Sequence, residues 1–181
     1  MTSVIKVDTI QNSSGGTPTA ADLGISVTEG IKNADVWRLY QGKSVSGAGD
    51  ITQYWEQADD ATSGTVGTGM TESSGIFTFP ATGVWLIYAQ LWFEIAQGED
   101  RVGHAFYMST DSGSNWDKIS QAYQSSPNNG YKLTSNSLAL ATVSSTTTDR
   151  FKIQHYVSNG TATLNGASEN NSSYVLFVKI A

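Results

Sequence analysis

The chain has no cysteine among its 181 residues. No disulfide can brace it, and any metal site would lack thiolate ligands. Charge is also scarce. Only 14% of residues are Asp, Glu, Lys or Arg, and ten basic against sixteen acidic side chains leave a net charge of −6. A nucleic-acid partner held by basic contacts is therefore not expected. The two histidines, His104 and His155, are too few for a histidine-built centre unless carboxylates join them, and the spacing supplies none. No nucleophile motif, phosphate loop or zinc signature occurs, so an enzyme is not expected. No apolar run is long enough to cross a bilayer, and the opening MTSVIKVDTIQNSSGG lacks the apolar core of a signal peptide. The expectation is a protein folded in a cytosol, or assembled there into something larger, without membrane insertion.

Eighteen glycines against three prolines suit many tight turns. The most telling stretch is 75–95, GIFTFPATGVWLIYAQLWFEI. As a strand, 84–95 would run roughly 40 Å. One face carries Trp85, Ile87, Ala89, Leu91, Phe93 and Ile95 and belongs in a core. The other carries Val84, Leu86, Tyr88, Gln90, Trp92 and Glu94, too apolar to be left in water. A strand apolar on both faces needs two things to pack against. In a chain this short, the second is a further copy of the chain.

Strand and turn signals continue from residue 34 to the end: 36–41, 51–55, 76–79, 84–95, 102–109, 116–123, 137–143, 150–157 and 173–180. The segment 58–70 reads as a Gly/Thr/Ser loop. Eight to ten strands without a long helix predict an all-β, jelly-roll β-sandwich over 34–181. Residues 1–33 read as an extended N-terminal arm and linker, with NSSGGTPT at 12–19 flexible by composition. The strands at 84–95, 137–143 and 173–180 are apolar on both faces, whereas that at 150–157 is half polar. One sheet should be covered on both sides and the other wet on one.

Gly75-Ile-Phe-Thr-Phe-Pro followed by Thr82-Gly-Val-Trp85 resembles the Gly-x-Phe-x-x-Pro-x-x-Gly-x-Tyr pattern of the complement-head and tumour-necrosis-factor superfamily. Trp85 takes the Tyr place, and the turn is one residue tighter. Residues 137–154 resemble that superfamily's apolar strand, turn and amphipathic strand, and Ser172-Ser-Tyr174 with Phe177 its closing strand. The resemblance implies a homotrimer with its inner sheets buried together, and it places Leu86, Tyr88, Trp92, Tyr174 and Leu176 at the seam. The N-terminal wording, Val4-Ile-Lys-Val-Asp-Thr-Ile-Gln-Asn-Ser-Ser-Gly-Gly with Ala20-Ala-Asp-Leu-Gly, resembles the opening of virion structural proteins of tailed phages, notably marine ones. That likeness implies a capsid-decoration, fibre or tail-associated protein. It would be assembled in the host cytoplasm and fastened to other virion proteins through residues 1–24.

Ser109-x-Asp111-x-Gly113-x-x-Trp116 matches the Asp-box pattern of sialidase-like propellers. A single box with three arginines in the chain reads as a hairpin brace: Asp and Ser bond turn amides, Gly takes a positive φ and Trp packs beneath. Both histidines fall on inward positions and read as satisfied core residues. No cofactor is expected, although loop carboxylates such as Asp59/Asp60 and Glu99/Asp100 could hold Ca²⁺ through oxygen ligands. The loop-proximal aromatics Tyr54, Trp55, Tyr123 and Tyr131 are the candidate contacts for a host surface glycan, with Trp116 beside them. The competing reading sets them in the core and the trimer seam.

Overall fold

The computed structural model describes residues 11, 14–17, 19, 30–60, 64–96, 101–125 and 130–181. The chain divides into two compact units, Met1–Gly30 and Ile31–Ala181. In the first, a turn lies at 14–16. Most of the arm expected over 1–33, including the residues that carry the virion resemblance, lies outside the described residues.

The second unit is all β. Its strands are β1 (Ala34–Leu39), β2 (Gln41–Asp50), β3 (Trp55–Gln57), β4 (Thr71–Ser73), β5 (Ile76–Thr78), β6 (Gly83–Ile95), β7 (Arg101–Ser109), β8 (Asp117–Ser125), β9 (Lys132–Val143), β10 (Arg150–Ala167) and β11 (Tyr174–Lys179). The inner layer runs β3-β1-β11-β6-β9, every pair antiparallel. The outer layer is built around β10, which pairs with β7, and through it β8, on one side, and with β5 and β2 on the other.

β10 also joins the layers. Its first half pairs with β7, whereas Ala162 to Leu164 pair with the end of β6. The turnover falls at a register break between Val157 and Ala162, where Gly160 has φ 60°. An irregularity of this kind bends and twists a strand, which lets one strand serve both layers.

The alternation read in β6 holds. Trp85, Ile87, Ala89, Leu91, Phe93 and Ile95 are all fully buried. They meet an aromatic cluster contributed by both layers. The Phe77 ring lies 5.3 Å from that of Phe177 and 5.4 Å from that of Trp55, and the Phe106 and Phe151 rings are 5.2 Å apart. Offset and edge contacts of this kind suit the ring quadrupoles and add to the hydrophobic term.

Asp35 anchors the 64–70 segment from within. Its carboxylate accepts from the Trp37 indole, the Gln57 amide, the Thr65 hydroxyl and the Met70 backbone N–H. A buried carboxylate is tolerated here because its oxygens are fully used.

Candidate functional site

Two surfaces of the second unit carry features beyond stability. The first is the face of the inner layer turned away from the core. Register sets Val36, Leu176, Tyr88 and Leu138 in one row across β1, β11, β6 and β9. The next row holds Ala34, Val178, Leu86 and Leu140. Leu138 and Leu140 are 57% and 62% exposed. A contiguous apolar face of this extent is uncommon on a solitary soluble domain.

Its polar groups are mostly used internally. The Tyr88 and Tyr174 rings sit 6.0 Å apart, and Tyr88 donates to Asn136 Oδ1 at 2.9 Å. Partial burial pushes the Tyr174 phenol up, with Tyr88 adding to the effect. At the β1 edge, buried Arg38 holds Glu56 and Asp59 at 2.8 Å each, together with Asp60. All five residues expected at a seam, Leu86, Tyr88, Trp92, Tyr174 and Leu176, lie on this face and are half-buried. Leu138 and Leu140, the most exposed of the set, belong with them. The pattern of 137–143 already set Leu138 and Leu140 on one side of their strand.

The second surface is the wet face of the outer layer. Ala48, Tyr156, Gly103 and Tyr123 form one row across β2, β10, β7 and β8. Asp50, Gln154, Ala105 and Gln121 form the next, followed by Lys152, Tyr107 and Lys118. The Arg101 guanidinium lies over both Tyr123 (4.8 Å) and Tyr156 (5.1 Å). Lys152 lies 4.4 Å from the Trp116 ring and is paired with Asp50 at 3.0 Å. Between the rings is a shallow, open depression whose lining includes Ala48, Ala105, Tyr107, Lys118, Gln154 and His155.

The expected glycan contacts divide. Trp55 is a core residue: it is buried, packs on Phe77 and donates its indole N–H to the Ile51 carbonyl at 2.9 Å. No sugar reaches it. Its place in β3 turns it inward, which loop composition alone did not reveal. Tyr54 has φ 70° and packs edge-on to Tyr40, partly against the core. Tyr131 is half exposed where β6 and β9 meet, and its carbonyl accepts from Ile95 N–H. Tyr123 alone of the four belongs to the ring-lined depression. Its companions Tyr107 and Tyr156 were missed because only strand register brings them together.

The Ser109–Trp116 turn is a dense local network. Asp111 accepts from the Asn115 backbone N–H (2.8 Å), the Asn115 amide (2.6 Å) and the Ser109 hydroxyl (2.8 Å), which hold its carboxyl down at about 2. Ser109 Oγ accepts in turn from Gly113 N–H at 2.8 Å. Ser112 and Gly113 both have positive φ, 61° and 91°. Trp116 is half-buried against Gly113 rather than enclosed beneath the turn. Gly113→Val is expected to cost about 1–3 kcal/mol, because a β-branched residue resists that backbone state. Asp111→Ala should lower the melting temperature by less. An unchanged melting temperature for both would show that the turn is not a brace.

The histidines are inward, as expected, but not satisfied. Among the described residues, neither ring nitrogen of His104 has a hydrogen-bond partner, nor does Nδ1 of His155. The two are direct cross-strand neighbours. Among the described residues, no three His, Asp or Glu side chains converge on a point that could hold a metal ion. Asp59 and Asp60 are organised around Arg38 instead.

No family model matches the chain, and no curated protein matches it in sequence. Solved structures do. The chain is similar to the Eiger TNF of S. frugiperda, with TM-score 0.61 and 17% identity over 84% of this chain and 94% of that one. It is similar to murine APRIL at pH 8.5, with TM-score 0.55 and 14% identity over 82% of this chain and 98% of that one. The domain is therefore a TNF-like jelly roll. At these identities the likeness speaks for the fold alone.

Proposed function

We propose that the chain is a non-enzymatic structural protein of a tailed-phage virion. In this reading it is a homotrimer displayed on the particle as a decoration, fibre or tail-associated protein and attached through its N-terminal residues. The observation that carries self-association is the uncovered apolar face of the inner layer, centred on Leu86, Tyr88, Leu138 and Leu140. A closed ring of copies buries that face completely, and the jelly-roll resemblance favours three. The virion setting rests on the wording of residues 4–24.

Light scattering at micromolar concentration should give three protomer masses, and a monomer would refute the reading. Deleting residues 1–24 should leave the trimer folded and abolish incorporation into particles. Normal incorporation of the truncated protein would remove the attachment role. A second reading, a tip protein that binds a host glycan, is favoured by the ring-lined depression of the outer layer.

A further inference from the structure

We propose that the wet face of the outer layer binds an acidic oligosaccharide, one bearing hexuronate carboxylates, in the depression between Tyr107 and the Tyr123–Tyr156 pair. The inference rests on the glycan-binding reading and gives it a place and a ligand class. It is independent of the assembly reading.

The floor of the depression is small and the walls are aromatic. Ala48, Gly103 and Ala105 come level through the pairing of β2, β10, β7 and β8. Gly103 is required there. A Cβ on it would lie 2.6 Å from the Tyr123 ring and 2.1 Å from the Ala122 carbonyl oxygen. Its absence lets the Tyr123 ring lie down on the sheet, where Tyr156 meets it edge-on at 5.2 Å. Arg101 spans both rings and donates to the Tyr156 hydroxyl at 3.1 Å, which fixes the wall in place. Binding then costs little side-chain ordering.

A pyranose ring suits such a surface. Its C–H groups form a weakly positive face that lies on the negative face of an aromatic ring. Its hydroxyls need both donors and acceptors at the rim, and the amides of Gln154 and Gln121 supply each. The depression is small and open, so a sugar ring would rest against the aromatic wall at its mouth with its neighbours in water.

Charge then selects among sugars. Three cations, Arg101, Lys118 and Lys152, stand over the rings of this face, and among the described residues one of them, Lys152, is paired with a carboxylate, Asp50, in a chain whose net charge is −6. Lys152 is already committed to Asp50. Lys118 is exposed and donates to a neutral acceptor, Gln121 Oε1, at 3.1 Å. Exchanging that neutral acceptor for a carboxylate gains a charge-assisted hydrogen bond. Rings beside cations also suit single-stranded nucleic acid, but that mode needs a basic groove tracking many backbone phosphates, whereas these cations gather around one depression.

The test is calorimetric titration of the full chain with trigalacturonate, neutral galactotriose and a short oligothymidylate. Trigalacturonate should bind in the high-micromolar to millimolar range and weaken with added salt. Galactotriose should bind at least about ten-fold more weakly. Lys118→Glu and Tyr107→Ala should each weaken trigalacturonate by about ten-fold. Tyr131→Ala, outside the depression, should leave it unchanged. Should Tyr107→Ala unfold, the exposed Lys118→Glu decides. No binding of trigalacturonate up to about 10 mM overturns the proposal, as does equal binding of the neutral trimer. Tighter binding of the oligonucleotide, or indifference to Lys118→Glu, overturns it too. The depression lies within one protomer, so a monomeric Leu140→Glu protein should titrate as the wild type does. Failure of the trimer and failure of this site are therefore separately visible.

Discussion

Leu140→Glu is expected to give a folded monomer in place of the proposed trimer. Leu140 is 62% exposed on its own protomer, so the substitution removes little from the core of the fold. In an assembly that covers the inner-layer face, the same glutamate is buried without a partner. An uncompensated buried charge costs about 3–5 kcal/mol at each site. A closed trimer bears that cost three times, which is enough to dissociate it at micromolar concentration. Trp92→Glu should act in the same direction, though it also removes the ring beneath the Lys132 ammonium, 5.3 Å away. Light scattering separates the outcomes, with circular dichroism as the check on folding. A Leu140→Glu protein that keeps the wild-type mass would show that the apolar face is not the contact.

Acid is expected to loosen the jelly roll well above the pH at which carboxylates protonate. His104 is fully buried, and burial lowers its pKa to about 4 from an ordinary 6.5. The fold accepts the neutral ring, while the unfolded chain takes up a proton near pH 6.5. Stability is therefore full above that pH and falls as the pH drops toward 4, by up to about 3 kcal/mol. His155, its cross-strand neighbour, acts in the same sense. Burial and Lys43 lower its pKa, against a hydrogen bond to the Gly47 backbone and the charge of Asp50. Other buried neighbours add no charge: Phe106, 5.4 Å from the His104 ring, is apolar. At lower pH the loss continues through Asp149. Burial raises its carboxyl, but the Ser144 and Ser145 backbone N–H groups and the Thr148 and Ser144 hydroxyls outweigh that and hold it below its ordinary range. Its contribution is present above the ordinary carboxylate pKa and is lost as the pH falls through the depressed value. Thermal melts between pH 4 and 8 should show this slope for the wild type. The slope should be much shallower in His104→Leu, which keeps the volume and removes two unpartnered nitrogens. An identical slope in the two proteins would exonerate His104.

The sequence by itself determined the all-β class, the inward face of β6 and the amphipathic start of β10. In each case apolar residues alternate with period two, and that alternation is what burial on one face demands. It also determined the Ser109–Trp116 turn, whose hydrogen bonds close within a few residues. β2 escaped because its residues, QGKSVSGAGD, bury one apolar side chain, Val45; its strand character comes from the ladder with β10. The second half of β10 escaped for the same reason, since polar and glycine residues carry it from one layer to the other. Tertiary structure alone decided that Trp55 is core. It also gave Arg38 its carboxylates from residues 56–60, and it laid Tyr107, Tyr123 and Tyr156 around one depression from three strands. These are contacts between residues far apart in the chain. They follow from strand order and register, which a period-two pattern leaves open because the same alternation fits many pairings.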